Sequence, residues 1–192
     1  MKILSLEVNN FKRLKGKHLW EFPSGIIGIT GSNGQGKSTV GAAIAWALFG
    51  PDMLPTGKAD VVTWGEKDCD VKVDIELNDQ IYRVMRKQAK NGTSDAKVLS
   101  HDGFTYSTVA QGIDPTNREV EKLLGVDRVG FLTSVYARQE ELTGLMSQTP
   151  ANRVKTVLRL LGIEQLTSAI ENMRGEARDA RKSLESYRVD IE

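Results

Sequence analysis

The amino-acid sequence predicts an α/β fold that combines a small antiparallel sheet with, near its C-terminal end, the start of a coiled-coil helix. Three observations support this prediction. A glycine-rich loop joins a short apolar run to an apolar helical segment, several short segments alternate apolar and polar residues, and the last segment repeats apolar residues in heptads. We accordingly divide the chain into a lobe over residues 1–162 and a coiled-coil arm over residues 163–192.

The glycine-rich loop spans residues 31–39, Gly-Ser-Asn-Gly-Gln-Gly-Lys-Ser-Thr, and contains a complete G-x-x-x-x-G-K-S phosphate-loop pattern. Residues 25–30 are predicted as a buried strand and residues 40–49 as an apolar helix, so the motif has the strand–loop–helix context that it requires. In such a loop, backbone N–H groups turn toward an anion, the lysine reaches the outer phosphates, and the serine hydroxyl can bind Mg²⁺. The predicted nucleotide-binding residues are Asn33, Gly34, Gln35, Gly36, Lys37, Ser38 and Thr39.

The segment before the loop predicts two strands joined by a basic turn. Residues 2–8 alternate in polarity, and so do His18, Trp20 and Phe22. The turn between them carries Lys12 and Arg13, which the sequence leaves open as either a solvated surface or contacts to nucleotide phosphates or DNA. We expect no metal role for His18, because no cluster of metal-binding residues accompanies it.

The segment after the helix predicts three further strands. Gly50-Pro51 ends the helix, a loop covers residues 51–60, and the predicted strands are 69–77, 80–86 and 96–100, the first two joined by a tight turn at Asn78-Asp79. Basic residues of this sheet are expected to form one solvated edge that protects against edge pairing, with a DNA-backbone role as the alternative; they are Arg83, Arg86, Lys87 and Lys90.

The next segment alternates between predicted helices and one strand. Residues 115–124 are predicted as a helix that ends at Gly125, and residues 131–137 as a strand followed by the polar cluster Arg138-Gln139-Glu140-Glu141. In α/β folds, such a cluster after a core strand commonly faces the active-site crevice. A further helix is predicted from Thr149-Pro150 to Gly162.

The last segment carries an unbroken heptad seam with a mixed-charge face. The seam consists of Leu166, Ile170, Met173, Ala177, Ala180, Leu184, Tyr187 and Ile191. This spacing predicts a coiled coil, with an ordinary amphipathic helix as the alternative. Because a coiled coil needs a partner helix, we expect the structural unit to continue beyond residue 192.

Composition excludes several classes of protein. The 192 residues carry a net charge of +1, so any nucleic-acid contact must come from local patches, and the single cysteine, Cys69, excludes an internal disulfide framework. We expect Cys69 to be a small residue at the start of a strand. With neither a signal peptide nor a membrane-spanning run, the protein is expected to be soluble and cytoplasmic.

The sequence also lacks the second acidic motif of an ATP-hydrolysing site. No apolar run ends in Asp-Glu, residues 73–76 alternate Val-Asp-Ile-Glu, and no Ser-Gly-Gly signature occurs. The chain is therefore predicted to carry half of a catalytic site.

Taken together, these motifs resemble the N-terminal half of an ABC-type ATPase head, and within that class the SbcC family of double-strand-break-repair ATPases. The resemblance is carried by residues 10–13 and 31–39, by residues 62–66 with the strand pair that follows and ends at residues 82–84, by residues 136–142 and by the coiled-coil exit. Two positions depart from the family: Glu140 stands where glycine is usual, and Trp64 stands where a basic residue is frequent.

The resemblance implies specific roles for individual residues. Lys37 and Gln139 would be catalytic, Ser38 and Gln139 would complete the Mg²⁺ shell, and Gln139 would sense the γ-phosphate of ATP. Lys12 or Arg13 would help to hold the nucleotide, and Thr63 and Trp64 are included among its expected contacts.

The resemblance also implies partners. A C-terminal half of the same head would supply the acidic strand and the signature motif, and a second copy would complete a dimer around two ATP molecules. Engagement of the heads would gate the access of double-stranded DNA to an SbcD-like nuclease. The isolated chain is expected to bind ATP–Mg²⁺ weakly and to hydrolyse it poorly.

Three other interpretations remain open at this point. An SMC-type or RecN-like head shares the same motifs, and a C-x-x-C zinc hook at the coiled-coil apex would favour SbcC over it. A small-molecule kinase suits the chain length but not the heptads. A coiled-coil adaptor would bind nucleotide without hydrolysing it.

Overall fold

The computed structural model of the chain describes residues 1–54, 58–136, 149–154, 173–174 and 178. The chain forms two compact units, Met1–Arg128 and Val129–Glu192. The first unit contains the sheet and the glycine-rich loop, so the following description concentrates on it.

The first unit is built on a six-stranded sheet in which every neighbouring pair of strands is antiparallel. Its spatial order is β2-β1-β3-β4-β5-β6. The strands are β1 (Lys2–Phe11), β2 (Leu14–Glu21), β3 (Asp68–Leu77), β4 (Gln80–Ala89), β5 (Ser94–His101) and β6 (Tyr106–Gln111). The α/β class is thus confirmed, with a larger sheet than the sequence predicted, because β1 and β2 join the three later strands and β6 extends them.

One face of the sheet forms the core with two helices. Leu6, Val73, Val84 and Val98 are paired in register across four strands, and all four side chains are fully buried. Helix α1 (Lys37–Phe49) contacts β1, β3 and β4, and helix α2 (Ile113–Leu124) contacts β5 and β6. Burial of each such apolar side chain stabilises the fold by about 1.5–3 kcal/mol, which is why the alternating pattern determines which face packs inward.

The opposite face of the sheet is solvated, and its charges are arranged in pairs. Glu7 lies between Lys72 (2.6 Å) and Lys17 (3.4 Å), and Arg83 contacts Asp74 through two bonds of 2.7 Å. This arrangement pairs three basic groups with two carboxylates, so that part of the face keeps an excess of only one positive charge.

The predicted basic edge is not one surface. Arg83 lies on the solvated face beside Asp74, Lys87 pairs with Asp68 at 3.1 Å, and the Lys90 ammonium lies 5.6 Å from the centre of the Trp64 ring. Arg86 is buried on the core side, where it binds the C-terminal end of α1. Neighbouring residues of a strand face opposite sides of a sheet, so basic residues that are close in sequence are separated in space.

Both predicted helix ends and the predicted hairpin are confirmed. Gly50, with φ +81°, follows α1 and donates its N–H to the Trp46 carbonyl at 2.8 Å, and Gly125, with φ +67°, follows α2. Asn78 and Asp79 have φ values of +50° and +62°, which is the left-handed pair that a tight two-residue hairpin requires. Cys69 is buried near the start of β3, as expected.

Two predicted strands are wrong. Residues 25–30 form neither helix nor strand and are exposed, because this apolar run has no neighbouring strand in the part of the chain that the structure describes. Residues 131–137 were predicted as a strand, but residues up to 134 belong to helix α3 (Arg128–Ser134), since a short apolar run does not by itself distinguish a strand from a buried helix.

Several predictions fall outside the described residues. These are the polar cluster with Gln139 and nearly all of the heptad seam, of which Met173 is described, in helical conformation. The predicted helix after Thr149 is described as far as residue 154 and begins with Asn152 N–H bonded to the Thr149 hydroxyl at 3.4 Å. The domain boundary at residue 162 stays a prediction.

Within the described residues, no helix combines the length and the apolar character needed to span a membrane.

Candidate nucleotide-binding site

The glycine-rich loop ends directly on the first turn of α1, and close packing there requires glycine. Gly36 precedes Lys37 with φ +90°, a left-handed conformation that side chains disfavour. A Cβ atom at this position would lie 3.1 Å from Cδ2 of Leu14 at the start of β2. The end of the loop therefore packs against the start of β2 at Gly36, whereas residues 31–35 are exposed.

The lysine of the motif closes the loop on itself. Lys37 Nζ donates hydrogen bonds to the carbonyls of Gly31 at 2.7 Å and Ser32 at 2.8 Å. Ser32 N–H in turn donates to Oε1 of Gln35 at 3.3 Å. These contacts are exposed, so phosphate oxygens can replace the two carbonyls as acceptors without breaking a buried network.

The serine and threonine that follow the lysine differ in burial. Ser38 is exposed at the start of α1, whereas Thr39 is buried and donates its N–H to the Gly36 carbonyl at 2.9 Å. Among the described residues, no group of three or more His, Cys, Asp or Glu could hold a metal ion. The exposed hydroxyl of Ser38 is open to a ligand, and a hydroxyl oxygen can bind Mg²⁺ together with the phosphates of a nucleotide.

The turn between β1 and β2 forms a second wall beside the loop. Lys12 has φ +52° and donates its N–H to the Val61 carbonyl at 2.7 Å. Arg13 Nη1 donates to the Gly34 carbonyl at 3.2 Å. Arg13 is therefore attached to the phosphate loop directly, and the left-handed backbone at Lys12 turns the chain toward it.

A third wall is the turn formed by residues 63–66. Thr63 N–H donates to the Asn10 carbonyl at 2.9 Å, and Glu66 N–H closes the turn on the Thr63 carbonyl at 3.0 Å. The Thr63 hydroxyl is buried and donates to the Leu14 carbonyl at 3.4 Å. Thr63 thus supports the turn from beneath, whereas Trp64 extends into solvent.

These three walls enclose one open cleft of about 710 Å³, a size that suits a nucleotide. The cleft brings together four of the predicted site residues, Lys12, Arg13, Thr39 and Trp64. It is also lined by Asp60, Val62 and Lys90. Basic side chains outnumber acidic ones around it, and such a cleft attracts anions. Gln139 lies outside the described residues.

Two residues of this region, Asn10 and Lys90, have roles at the cleft that the sequence did not predict. Asn10, at φ +52°, accepts the Gly16 N–H on Oδ1 at 2.8 Å and donates from Nδ2 to Glu66 at 3.4 Å, so it connects the walls of the cleft. Lys90 was assigned to the basic edge but lines the cleft. An asparagine pair ahead of a basic turn could have indicated Asn10, because asparagine tolerates left-handed backbone.

Comparison with known proteins identifies the family to which this chain belongs. A family described as an AAA domain matches residues 5–192. The "DNA double-strand break repair Rad50 ATPase" of Methanocaldococcus jannaschii is 34% identical over 191 residues, covering 100% of this chain and 18% of that protein. The protein of the same description from Methanococcus maripaludis is 28% identical over 192 residues, covering 100% and 18%.

Two further matches carry other descriptions. "Arcadin-4" of Pyrobaculum calidifontis is 29% identical over 197 residues, covering 97% of this chain and 24% of that protein. The solved structure of the recombination mediator protein RecF with ATP matches with a TM-score of 0.46 and 25% identity, over 50% of this chain and 26% of that one. This chain spans about a fifth of the length of its curated relatives.

Proposed function

Because this chain belongs to the AAA-domain family and is homologous over its full length to the N-terminal region of Rad50 ATPases, we propose that it is the ATP-binding lobe of an SbcC-type DNA double-strand-break-repair ATPase. In this proposal it binds ATP with Mg²⁺, and its engagement with a second head controls the access of an SbcD-like nuclease to double-stranded DNA.

The observation that carries the proposal is the contact of Lys37 with the carbonyls of the phosphate loop, two residues before Thr39 of the basic cleft. Its ammonium lies within 2.8 Å of two loop carbonyls, and Thr39, two residues later, lines the cleft. A nucleotide with its phosphates on the loop would exchange these carbonyls for phosphate oxygens. Arg13, which bonds the loop at Gly34, would add a second cation near the phosphates.

The catalytic half-site would be completed by other parts of the protein. Ser38 would provide one Mg²⁺ ligand and Gln139 another, with Gln139 also contacting the γ-phosphate. The acidic strand and the general base would come from a C-terminal half of the head, and the signature motif from a second copy. The chain's own share is binding and orientation, which alone supports little turnover.

The exposed segment before the phosphate loop supports the C-terminal partner. Ile26, Ile27 and Ile29 are exposed, and residues 25–30 form no ladder with the described strands. A strand that leads into a phosphate loop is usually buried on both faces of a parallel sheet. The adjoining groove, of about 440 Å³, offers an apolar seat, lined by Met1, Lys2, Ile3, Phe22, Pro23, Ser24, Gly25, Ile27, Ile29 and Ile44. We infer that strands of the C-terminal half pair with residues 25–30.

Contacts to DNA would be made through its phosphates, without reading of base sequence. The paired charges of the solvated sheet face, around Glu7, Lys72, Asp74 and Arg83, leave little positive excess there for this purpose. We therefore place the DNA contacts elsewhere on the engaged heads.

The decisive experiment compares Lys37→Ala with Lys17→Ala in ATP binding. Lys17 is a suitable control because it is an exposed lysine that pairs with Glu7 on the sheet face. Loss of one or two charge-assisted bonds to phosphate, each worth roughly 1.5–3 kcal/mol, should weaken ATP–Mg²⁺ binding of Lys37→Ala by at least about tenfold. Isothermal titration calorimetry measures this, and thermal unfolding should change by less than about 3 °C because the lost bonds are exposed. Unchanged ATP affinity in Lys37→Ala would refute the proposal.

A second measurement tests the half-site. Phosphate release by the 192-residue chain should be slow and should rise when the C-terminal half is added. Rapid turnover by the chain alone would contradict the division of the catalytic site.

A further inference from the structure

The turn that carries Trp64 has a fixed backbone and an unburied side chain. Glu66 N–H closes the turn on Thr63, and Gly65 at the third position has φ +88°, as a type II turn requires. The indole of Trp64 is nevertheless 92% exposed. A tryptophan usually buries 150–250 Å² of surface on folding, so this residue presents a large, flat apolar group that the described part of its own chain does not cover.

The turn is also anchored on both sides. Thr63 N–H is bonded to the Asn10 carbonyl, and Glu66 contacts both Asn10 and Lys15, the latter at 3.2 Å. The exposed ring is thus attached to the same strand end that supports Lys12 and Arg13. Preorganised surface of this kind loses little conformational entropy when a ligand covers it.

Trp64 lines the cleft that adjoins the phosphate loop. Thr39, in the first turn of α1, and Arg13, which bonds the loop at Gly34, line this cleft together with Val62 and Trp64. Lys90, which lies 5.6 Å from the centre of the Trp64 ring, lines the same space. A nucleotide with its phosphates on the loop has its base about one ribose away from them, and the remaining part of this cleft is where that base can lie.

We propose that Trp64 stacks on the nucleobase of the bound nucleotide and makes the site select for ring size, with purine preferred over pyrimidine. This inference rests on the proposed nucleotide-binding function and specifies it. Stacking uses the π-face that every base has, so it distinguishes a two-ring base from a one-ring base better than adenine from guanine. Single exposed hydrophobic residues are common on protein surfaces, but Trp64 combines a fixed turn with a place beside the phosphate loop.

The experiment measures binding of four probes to the full 192-residue chain in Mg²⁺: ATP, GTP, CTP and inorganic tripolyphosphate, which has no base. The variants are Trp64→Leu and Trp64→Phe. The matched control is Phe104→Leu, because Phe104 is an aromatic residue that is 94% exposed on the turn between β5 and β6. Calorimetry gives the dissociation constants, and tryptophan fluorescence gives an independent signal: because Trp20 and Trp46 are present in every variant, a change on ATP binding that is lost in Trp64→Leu reports on Trp64.

The expected results are specific to the base. Trp64→Leu should weaken ATP and GTP binding by about 5- to 150-fold, the range that corresponds to the loss of one base–aromatic stack. Tripolyphosphate binding should change by less than about twofold. CTP should bind the unmodified chain more weakly than ATP, and this difference should shrink in Trp64→Leu. Trp64→Phe should recover part of the ATP affinity, and Phe104→Leu should behave like the unmodified chain.

The failures of the two proposals are distinguishable. If neither ATP nor tripolyphosphate binds the unmodified chain, the proposed function fails and the stacking inference falls with it. If both bind and Trp64→Leu leaves ATP affinity unchanged, stacking is refuted while phosphate binding stands. An equal loss of ATP and tripolyphosphate in Trp64→Leu, or an equal loss in Phe104→Leu, would also refute stacking, because neither would depend on the base.

Discussion

Replacement of Arg86 by methionine should destabilise the fold more than any other single removal of a charge from the sheet. Arg86 is buried on the core side of β4 and donates from Nε to the Ala47 carbonyl at 2.7 Å. Its Nη2 donates to the Leu48 carbonyl at 3.0 Å and to Oδ1 of Asn117 at 2.6 Å. One side chain therefore binds the last turn of the phosphate-loop helix, where carbonyls lack helical partners, and connects it to α2.

The expected loss in the free energy of unfolding follows from these contacts. Three charge-assisted hydrogen bonds at about 1.5 kcal/mol each give an upper figure of roughly 4–5 kcal/mol. The acceptors are neutral, so the guanidinium is desolvated without a countercharge among them, and removing it recovers part of that energy. Burial lowers the pKa of Arg86 to about 10, which leaves the group charged at neutral pH. We expect a net loss of about 2–4 kcal/mol in the free energy of unfolding.

Urea and thermal unfolding followed by circular dichroism measure this loss. At about 3 °C per kcal/mol for a chain of this size, the midpoint should fall by about 6–12 °C. Arg83→Met is the control on the opposite face of the same strand, where the Asp74 pair is partly exposed and should be worth about 1 kcal/mol or less. A loss in Arg86→Met that is below about 1 kcal/mol, or no larger than that in Arg83→Met, would refute the stabilising role assigned to these bonds.

Two further predictions concern titratable groups. Burial raises the pKa of Cys69 to about 12, so a thiol reagent at pH 8 should modify it only when the chain unfolds, and rapid labelling of the folded protein would contradict its burial. Because the thiol of the unfolded chain ionises at a lower pH than that of the folded chain, the free energy of unfolding should fall as pH rises above about 9. The hydrogen bond from Lys72 lowers the pKa of Glu7, so the ionised carboxylate stabilises the folded chain above the ordinary pKa of about 4.5, and this stabilisation is lost as pH falls through the lowered pKa. The urea midpoints of Glu7→Gln and the unmodified chain should therefore differ at pH 7 and converge in acid. A difference that stays constant with pH would exclude the ionised carboxylate as its cause.

The parts of the fold that sequence predicted are those determined by local chemistry. The end of α1 follows from a glycine cap at Gly50, and the β3–β4 hairpin from Asn78-Asp79. The phosphate-loop motif predicts a helix over residues 40–49, and α1 begins three residues earlier, at Lys37. β6 was missed although Asp102-Gly103, a turn signal, precedes it. The cap of α1 and the β3–β4 hairpin each depend on only a few neighbouring residues.

The parts that sequence did not predict depend on distant partners. The apolar run at 25–30 has strand composition but no described neighbour to pair with, and the run that overlaps α3 has a length that suits either a strand or a short helix. The role of Arg86 required knowing that β4 places it toward α1. Within the site, residues 31–39 were identifiable from the motif, whereas the support of the cleft by Asn10 is made of contacts more than fifty residues apart in sequence.

The exposed Gly-Ile-Ile-Gly-Ile-Thr segment at 25–30 has a consequence for the behaviour of the protein in concentrated solution. It is a six-residue stretch without charge or proline, rich in β-branched residues, and it forms neither helix nor strand. Segments of this composition pair readily with identical copies of themselves and start the growth of fibrils. The residues that lead into the phosphate loop are therefore also a segment prone to aggregation while nothing covers them, and a strand that pairs with them would remove this tendency.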